Sequence, residues 1–277
     1  MKIFTMILLI AIIVTILSGC KPEISSYAVS CNTIKTSTIT TFPTMNTFTA
    51  TTSALTISTG DLNANNRQTT INKLGTLLSG YSAPKDYTIV SARQNGWFDA
   101  NDFFKVFDHL SMQSGYTLDY LYVGNGSIGQ PFLYARKLDS QPYTTIGQLP
   151  AQYDYLTFVQ PDDTPDSYFQ YIALRIMGGQ FYLFWHAGYN DTTIVCTHDV
   201  LESTTSQFPD AVAGSARQIN LTPEVTMNKD TATVRVVTFT KWGGFKEETF
   251  TISRVSSHSI IQQNTKTLVA WNCGTTY

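Results

Sequence analysis

Trp242-Gly243-Gly244-Phe245 does most to limit what this chain can fold into. It separates two runs rich in Thr, Val, Ile and Phe, Thr231 to Thr240 and Lys246 to Val255. Two glycines supply the positive φ angles that a tight hairpin turn needs, so the spacing predicts an antiparallel hairpin. Gly178-Gly179 stands in a similar setting: Tyr168 to Met177 precedes it, Gln180 to Ala187 follows it, and both runs read as strands. In the second run Phe181, Leu183, Trp185 and Ala187 alternate with Tyr182, Phe184 and His186. Apolar residues on both faces are the mark of a central strand covered on both sides. Gly188-Tyr189-Asn190-Asp191 then turns into a third strand, Thr192 to Thr197. The residues around the two Gly-Gly pairs do not match, so they are not read as a duplication.

The segments before these hairpins are more helical. Ile71, Leu74, Leu77 and Leu78 share one face of an expected helix over 67–79, closed by Gly80. Lys85 to Ala92 reads as a strand. Asp99 is placed to cap a helix running to about Met112, with Phe103, Phe107 and Leu110 as its buried stripe. Strands are expected at Tyr116 to Val123 and Pro131 to Leu138, around the turn Gly124-Asn125-Gly126, and again at Tyr153 to Val159. Asp199 and Glu202 have the spacing of a capping box for a helix to about Ser206, and a last strand lies near Thr267 to Trp271. This order predicts an α+β fold with a mainly antiparallel, meander-like sheet and a few helices packed on it.

The chain starts with Met1-Lys2, continues through an almost wholly apolar run from Ile3 to Leu17, and closes that run with Leu17-Ser18-Gly19-Cys20. A cationic start, an apolar core and small residues at a cut site are the parts of an export signal. With a cysteine directly after Leu-Ser-Gly, the pattern resembles a bacterial lipoprotein signal. The resemblance implies that residues 1–19 are removed and that Cys20 carries a lipid holding the protein to a bacterial cell membrane or outer membrane, on its extracytoplasmic side. The competing reading is an uncleaved membrane helix, for which the 17 residues from Ile3 to Gly19 are at the short limit. Residues 33–59 are a Thr/Ser tract, 15 of 27, with Lys35 as the only charge. Residues 20–59 are therefore expected to be anchor and solvated tether, and 60–277 a single α+β domain.

Cys20 apart, three cysteines remain. Export would place them where disulfides persist. Cys31 and Cys273 lie in polar segments and are the first pair to consider for a bridge, with no bridge as the alternative. Cys196 sits in the apolar run Ile194-Val195-Cys196, where a buried free thiol is the ordinary reading. The formal charge is −2 and no basic stripe appears, so nucleic acid is not an expected partner.

No motif in the sequence commits the chain to a chemistry. His186, Asp191, Cys196 and His198 are metal-ligand and nucleophile types. If the flanking strands pair about the 188–191 turn, however, the two histidines lie roughly 16 Å apart and on opposite faces. No metal or other cofactor is therefore expected. Pro161-Asp162-Asp163-Thr164-Pro165-Asp166 lacks the ligand spacing of a calcium loop and reads as a solvated acidic turn. Phosphate-loop, nucleophile-elbow, His-Glu-x-x-His and Cys-x-x-Cys patterns are missing. Among the aromatics, Tyr189, Trp242 and Phe245 fall at turns and are the expected exposed contacts for a ligand. The leading expectation is a non-catalytic surface module that binds a ligand or a partner, the partner being a protein or a glycan. The alternatives are a hydrolase of envelope or extracellular polymers and a structural envelope component.

Overall fold

A computed structural model describes residues 64–82, 84, 90–206, 208–255 and 257–272. The apolar leader, Cys20, the Thr/Ser tract, Cys31 and Cys273 lie outside the described residues. The fold is α+β, with every strand pairing antiparallel.

Helix α1 (Ala64–Ser79) turns Ile71, Leu74 and Leu78 inward, the face its period predicted. It also buries two polar residues. Arg67, 2% exposed, donates from Nη1 to the Pro223 carbonyl at 2.7 Å, and the Gln68 Oε1 accepts from the Cys196 amide at 2.9 Å. Strand β1 (Val90–Ala92) follows. Asp99 then caps as expected, accepting from the Asn101 amide at 3.0 Å, but the helix it starts is broken. A 3-10 turn, Ala100–Asp102, leads into α2 (Phe103–Val106), and the chain extends at once into β2 (Leu110–Met112). The physical reason is a competing partner: β2 pairs with β5 (Val159–Pro161). Between them run the long strands β3 (Tyr116–Gly124) and β4 (Ile128–Lys137), the hairpin foreseen around Asn125-Gly126. Tyr153 to Val159 is not a strand; it holds a 3-10 turn, Asp154–Phe158.

The main correction is α3 (Pro165–Met177), a helix where a strand was expected. Thr164 caps it by accepting from the Ser167 amide at 3.2 Å, Ser167 Oγ donates back to the Thr164 carbonyl at 2.7 Å, and Pro165 occupies the first turn. Every residue from Ser167 to Leu174 is buried, so no polar face remains to reveal the helical period. Gly178 ends the helix, its amide donating to the Leu174 carbonyl at 2.8 Å, so Gly178-Gly179 is not a hairpin turn. Of the expected strand after it only β6 (Phe184–Trp185) forms, pairing with Ile128 and Gly129 at the end of β4. The first sheet thus runs β1-β3-β4-β6.

Strand β7 (Thr192–Ile194) begins the second sheet. Helices α4 (His198–Thr205) and α5 (Asp210–Ala216) and strand β8 (Glu224–Met227) follow; α5 and β8 were not expected. Thr197, not Asp199, precedes α4, and Glu202 pairs with Arg217 at 2.7 Å instead of closing a capping box. The hairpin of β9 (Thr231–Thr240) and β10 (Gly244–Ser253) forms as its Gly-Gly turn predicted, with Thr240 opposite Gly244 and Thr231 opposite Ser253. Strand β11 (Ile260–Val269) is longer than expected and closes the order β11-β10-β9-β7, with β8 also on β9.

Strand β9 explains the layering. Ala232, Val234 and Val236 enter the larger core with α1, α3 and the β3 residues Leu118, Tyr120 and Tyr122. Val237 and Phe239 enter a smaller core with Leu201, Ala216, Phe245 and Trp271. A strand covered on both faces loses its polar alternation.

Candidate functional site

The residues singled out from the sequence do not form one site. Phe245 is fully buried, its ring 5.0 Å from Phe239 in the smaller core, so it is not an exposed contact. It opens β10 directly after Gly244, and the pleat turns its side chain inward. Trp242 is half-buried in the preceding turn. Tyr189 lies in the 3-10 segment His186–Asn190, and its side chain is outside the described residues. The hairpin expected about residues 188–191 is absent, because β6 pairs with β4 in one sheet and β7 with β9 in the other. His186 therefore leaves the first sheet, while Cys196 follows a strand of the second. Cys196 is buried and free, and burial pushes its thiol up to about 12, far from the thiolate a nucleophile needs. Among the described residues no three His, Cys, Asp or Glu side chains are grouped to hold a metal ion.

The acidic turn sends its carboxylates to different places. Asp163 accepts from Arg254 Nε at 2.8 Å and from Tyr168 Oη at 2.9 Å. Asp166 sits 3.5 Å from Arg67 Nε. Asp162 lies 2.7 Å from His109 Nδ1. That hydrogen bond raises the His109 pKa; burial pushes the Asp162 carboxyl up, but hydrogen bonds from Thr164 and His109 outweigh it and hold it low. The raised His109 stabilises below about pH 6.5 and loses its effect as pH rises through its folded value; the lowered Asp162 stabilises above about pH 4 and loses its effect as pH falls. Both groups are well exposed, so the pair is worth under about 1 kcal/mol. The Tm difference between wild type and His109→Gln is expected to be largest between those two limits and to shrink toward pH 8. A difference that grows from pH 6 to pH 8 contradicts the assignment.

A hollow of about 620 Å³ lies between β4, residues 146–153 and the C-terminal part of α3. Three local devices build it. The Tyr134 ring on β4 stacks on Tyr143 at 4.2 Å, and its hydroxyl accepts from the Tyr143 amide at 2.9 Å, which folds the following segment back over the strand. Gln148 Oε1 accepts from the amides of Thr144 and Thr145 at 2.8 and 3.0 Å, which shapes the 3-10 turn Ile146–Gln148. Tyr153 then adopts φ 66° and ψ 9°, a left-handed conformation unusual for a bulky residue.

Tyr153 faces Arg175 of α3, whose guanidinium carbon lies 4.3 Å from the ring centroid. The same guanidinium is 5.6 Å from the Phe250 centroid and donates from Nη2 to Gln263 Oε1 at 2.8 Å. Tyr153 and Arg175 also line a smaller hollow of about 210 Å³ that reaches Ser259 and Ile260. The rest of the large hollow is mostly apolar, with Leu133, Leu149, Pro150, Ile176 and Leu183 among its walls. Gln180 donates from Nε2 to the Ile176 carbonyl at 3.3 Å and keeps its buried Oε1 without a partner among the described residues. The described lining holds no carboxylate, imidazole, thiol or aliphatic hydroxyl; its hydroxyls are the phenols of Tyr153 and Tyr155.

Neither Tyr153 nor Arg175 was singled out from the sequence. Arg175 left a signal: it is the only Lys, Arg, Asp or Glu between Ser167 and Asn190. A lone charge in so apolar a run marks a side chain with a partner or a task. No protein-family model, no curated protein and no solved structure matches the chain.

Proposed function

We propose that this chain is a lipid-anchored extracytoplasmic binding module that takes up a small, largely apolar ligand without changing it chemically. One observation carries the reading: the hollow beside β4 has Leu133, Leu149, Pro150, Ile176 and Leu183 among its walls, sets the ring of the left-handed Tyr153 beside Arg175, and has no carboxylate, imidazole, thiol or aliphatic hydroxyl in its described lining. Its volume lies within the roughly 300–1,000 Å³ usual for small-molecule sites. Backbone strain of this kind persists where the surroundings hold it in place and is concentrated at ligand clamps. Support for the anchor comes from Leu17-Ser18-Gly19-Cys20. A hydrolase needs a nucleophile or a carboxylate pair at its pocket, and the described lining supplies neither.

Native mass spectrometry of the full chain, released from its own membranes and compared with the denatured mass, tests both halves. A covalent acyl mass on Cys20, lost in Cys20→Ser together with membrane attachment, is the expected result for the anchor. A non-covalent mass lost on denaturation, and absent from Ala151→Trp, is expected for the hollow; Ala151 is exposed at its mouth, so the larger side chain fills space without disturbing the core. Equal native and denatured masses, or a ligand retained by Ala151→Trp, would remove the hollow from consideration.

A further inference from the structure

We infer that the ligand of the β4 hollow is an apolar carboxylic acid whose carboxylate pairs with Arg175; this rests on the binding reading above and names its substrate class. Arg175 is the only charged residue in the described lining. Among the described residues it has no carboxylate within ion-pairing distance, whereas Arg67, Arg93, Arg136, Arg217, Arg235 and Arg254 each have one. The difference is chemical. A guanidinium at an apolar wall attracts an anion more strongly than one in open water, because the surrounding dielectric is lower.

Geometry adds direction. The Tyr153 ring centroid lies 4.3 Å from the guanidinium carbon, and Gln263 takes one donor at Nη2. A guanidinium has five donors set in a plane, so one bond to Gln263 leaves others for further acceptors. Edge-on, two parallel N–H groups match the two oxygens of a carboxylate. Tyr153 and Gln263 thus hold Arg175 in place before any ligand arrives, which lowers the ordering cost of binding. Leu133, Leu149, Ile176 and Leu183 leave the remainder of the hollow suited to an alkyl or aromatic body. An alcohol with the same body meets the same walls but cannot supply the charge.

The test uses the full chain in membrane vesicles and two photoreactive probes, a diazirine-bearing decanoic acid and the matching decanol, at pH 7. After irradiation, labelled peptides are mapped and the half-maximal probe concentrations compared. Both probes are expected to label peptides from 146–153 and 176–183, with the acid doing so at about a tenfold lower concentration. Arg175→Gln should remove the acid's advantage and leave decanol labelling unchanged. Arg175→Lys, which keeps the charge but not the planar fork, should retain part of it. Equal half-maximal concentrations on the wild-type chain overturn the carboxylate inference while leaving the binding reading intact. Labelling of the hollow by neither probe overturns both. An acid preference that survives in Arg175→Gln shows that another group reads the charge. The wild-type comparison needs no variant, so a folding defect in either substitution does not weaken it.

Discussion

Asp119→Ala is expected to cost about 3–5 kcal/mol of stability, the loss typical of breaking a buried ion pair from one side. Asp119 sits on β3 and is 1% exposed. Its Oδ2 accepts from Arg136 Nε on β4 at 2.9 Å, and its Oδ1 lies 3.4 Å from Arg93 Nε and accepts from the Tyr120 amide at 2.9 Å. One carboxylate therefore joins a neighbouring strand to the loop leading to Asp99, which itself holds Arg93 at 3.1 Å. Without it, Arg136 keeps only carbonyl partners, those of Lys137 and Ser140, and a positive charge stays largely buried without compensation. Asp119→Asn preserves the shape and some hydrogen bonding and is expected to lose about half as much. Urea denaturation of the two variants separates the charge from the contacts. A loss below about 1 kcal/mol for the alanine variant would mean that the two arginines find water or other acceptors at little cost.

Gly244→Ala is expected to destabilise on the order of 3 kcal/mol, against under about 1 kcal/mol for Gly243→Ala. The two glycines are adjacent in the same turn, yet their surroundings differ. Gly244 has φ +73°, and a Cβ there would run into the Val269 carbonyl and the backbone of Ala270 and Trp271. Those atoms are backbone at the end of β11, so relief requires the strand to move away from β10. At Gly243 the nearest obstacle is the Lys246 side chain, with Cε at 2.9 Å, and a flexible chain end can swing aside. Thermal melts of the two variants side by side suffice. If Gly243→Ala proves the more damaging, the close approach of β11 to the turn is not what requires glycine here.

Legibility in the sequence followed the presence of a polar face. Helix α1 and the β9–β10 hairpin each leave some residues in water, and each was placed within a few residues. Helix α3 has no such face over Ser167 to Leu174, and an apolar run without a period reads equally well as a strand. Length discriminates here, since 13 residues from Pro165 to Met177 suit a helix better than a buried strand. Thr164-Pro165 is its start signal. The strand reading of α3 created the false hairpin at Gly178-Gly179; the false geometry for His186 and His198 came from a separate expected hairpin about residues 188–191, whose two strands join different sheets. The hollow was less legible still. Tyr153 and Arg175 are 22 positions apart, and only the turn of α3 and the left-handed bend at Tyr153 bring them face to face. Phe245 shows the opposite failure: a position next to a turn suggested exposure, but a second core lies behind β9.

Helix α1 has an awkward place in the order of synthesis. It is the earliest described element of the chain, yet Gln68 and Arg67 make their buried bonds with residues 128 and 156 positions further on. Contacts of such separation form late, because closing so long a loop costs entropy before any bond repays it. Until Ile252 has left the ribosome, the apolar stripe of Ile71, Leu74 and Leu78 has no completed core to enter. For most of its own biosynthesis, the chain carries an unsheltered greasy helix in its first third, and a holding chaperone has its natural target there.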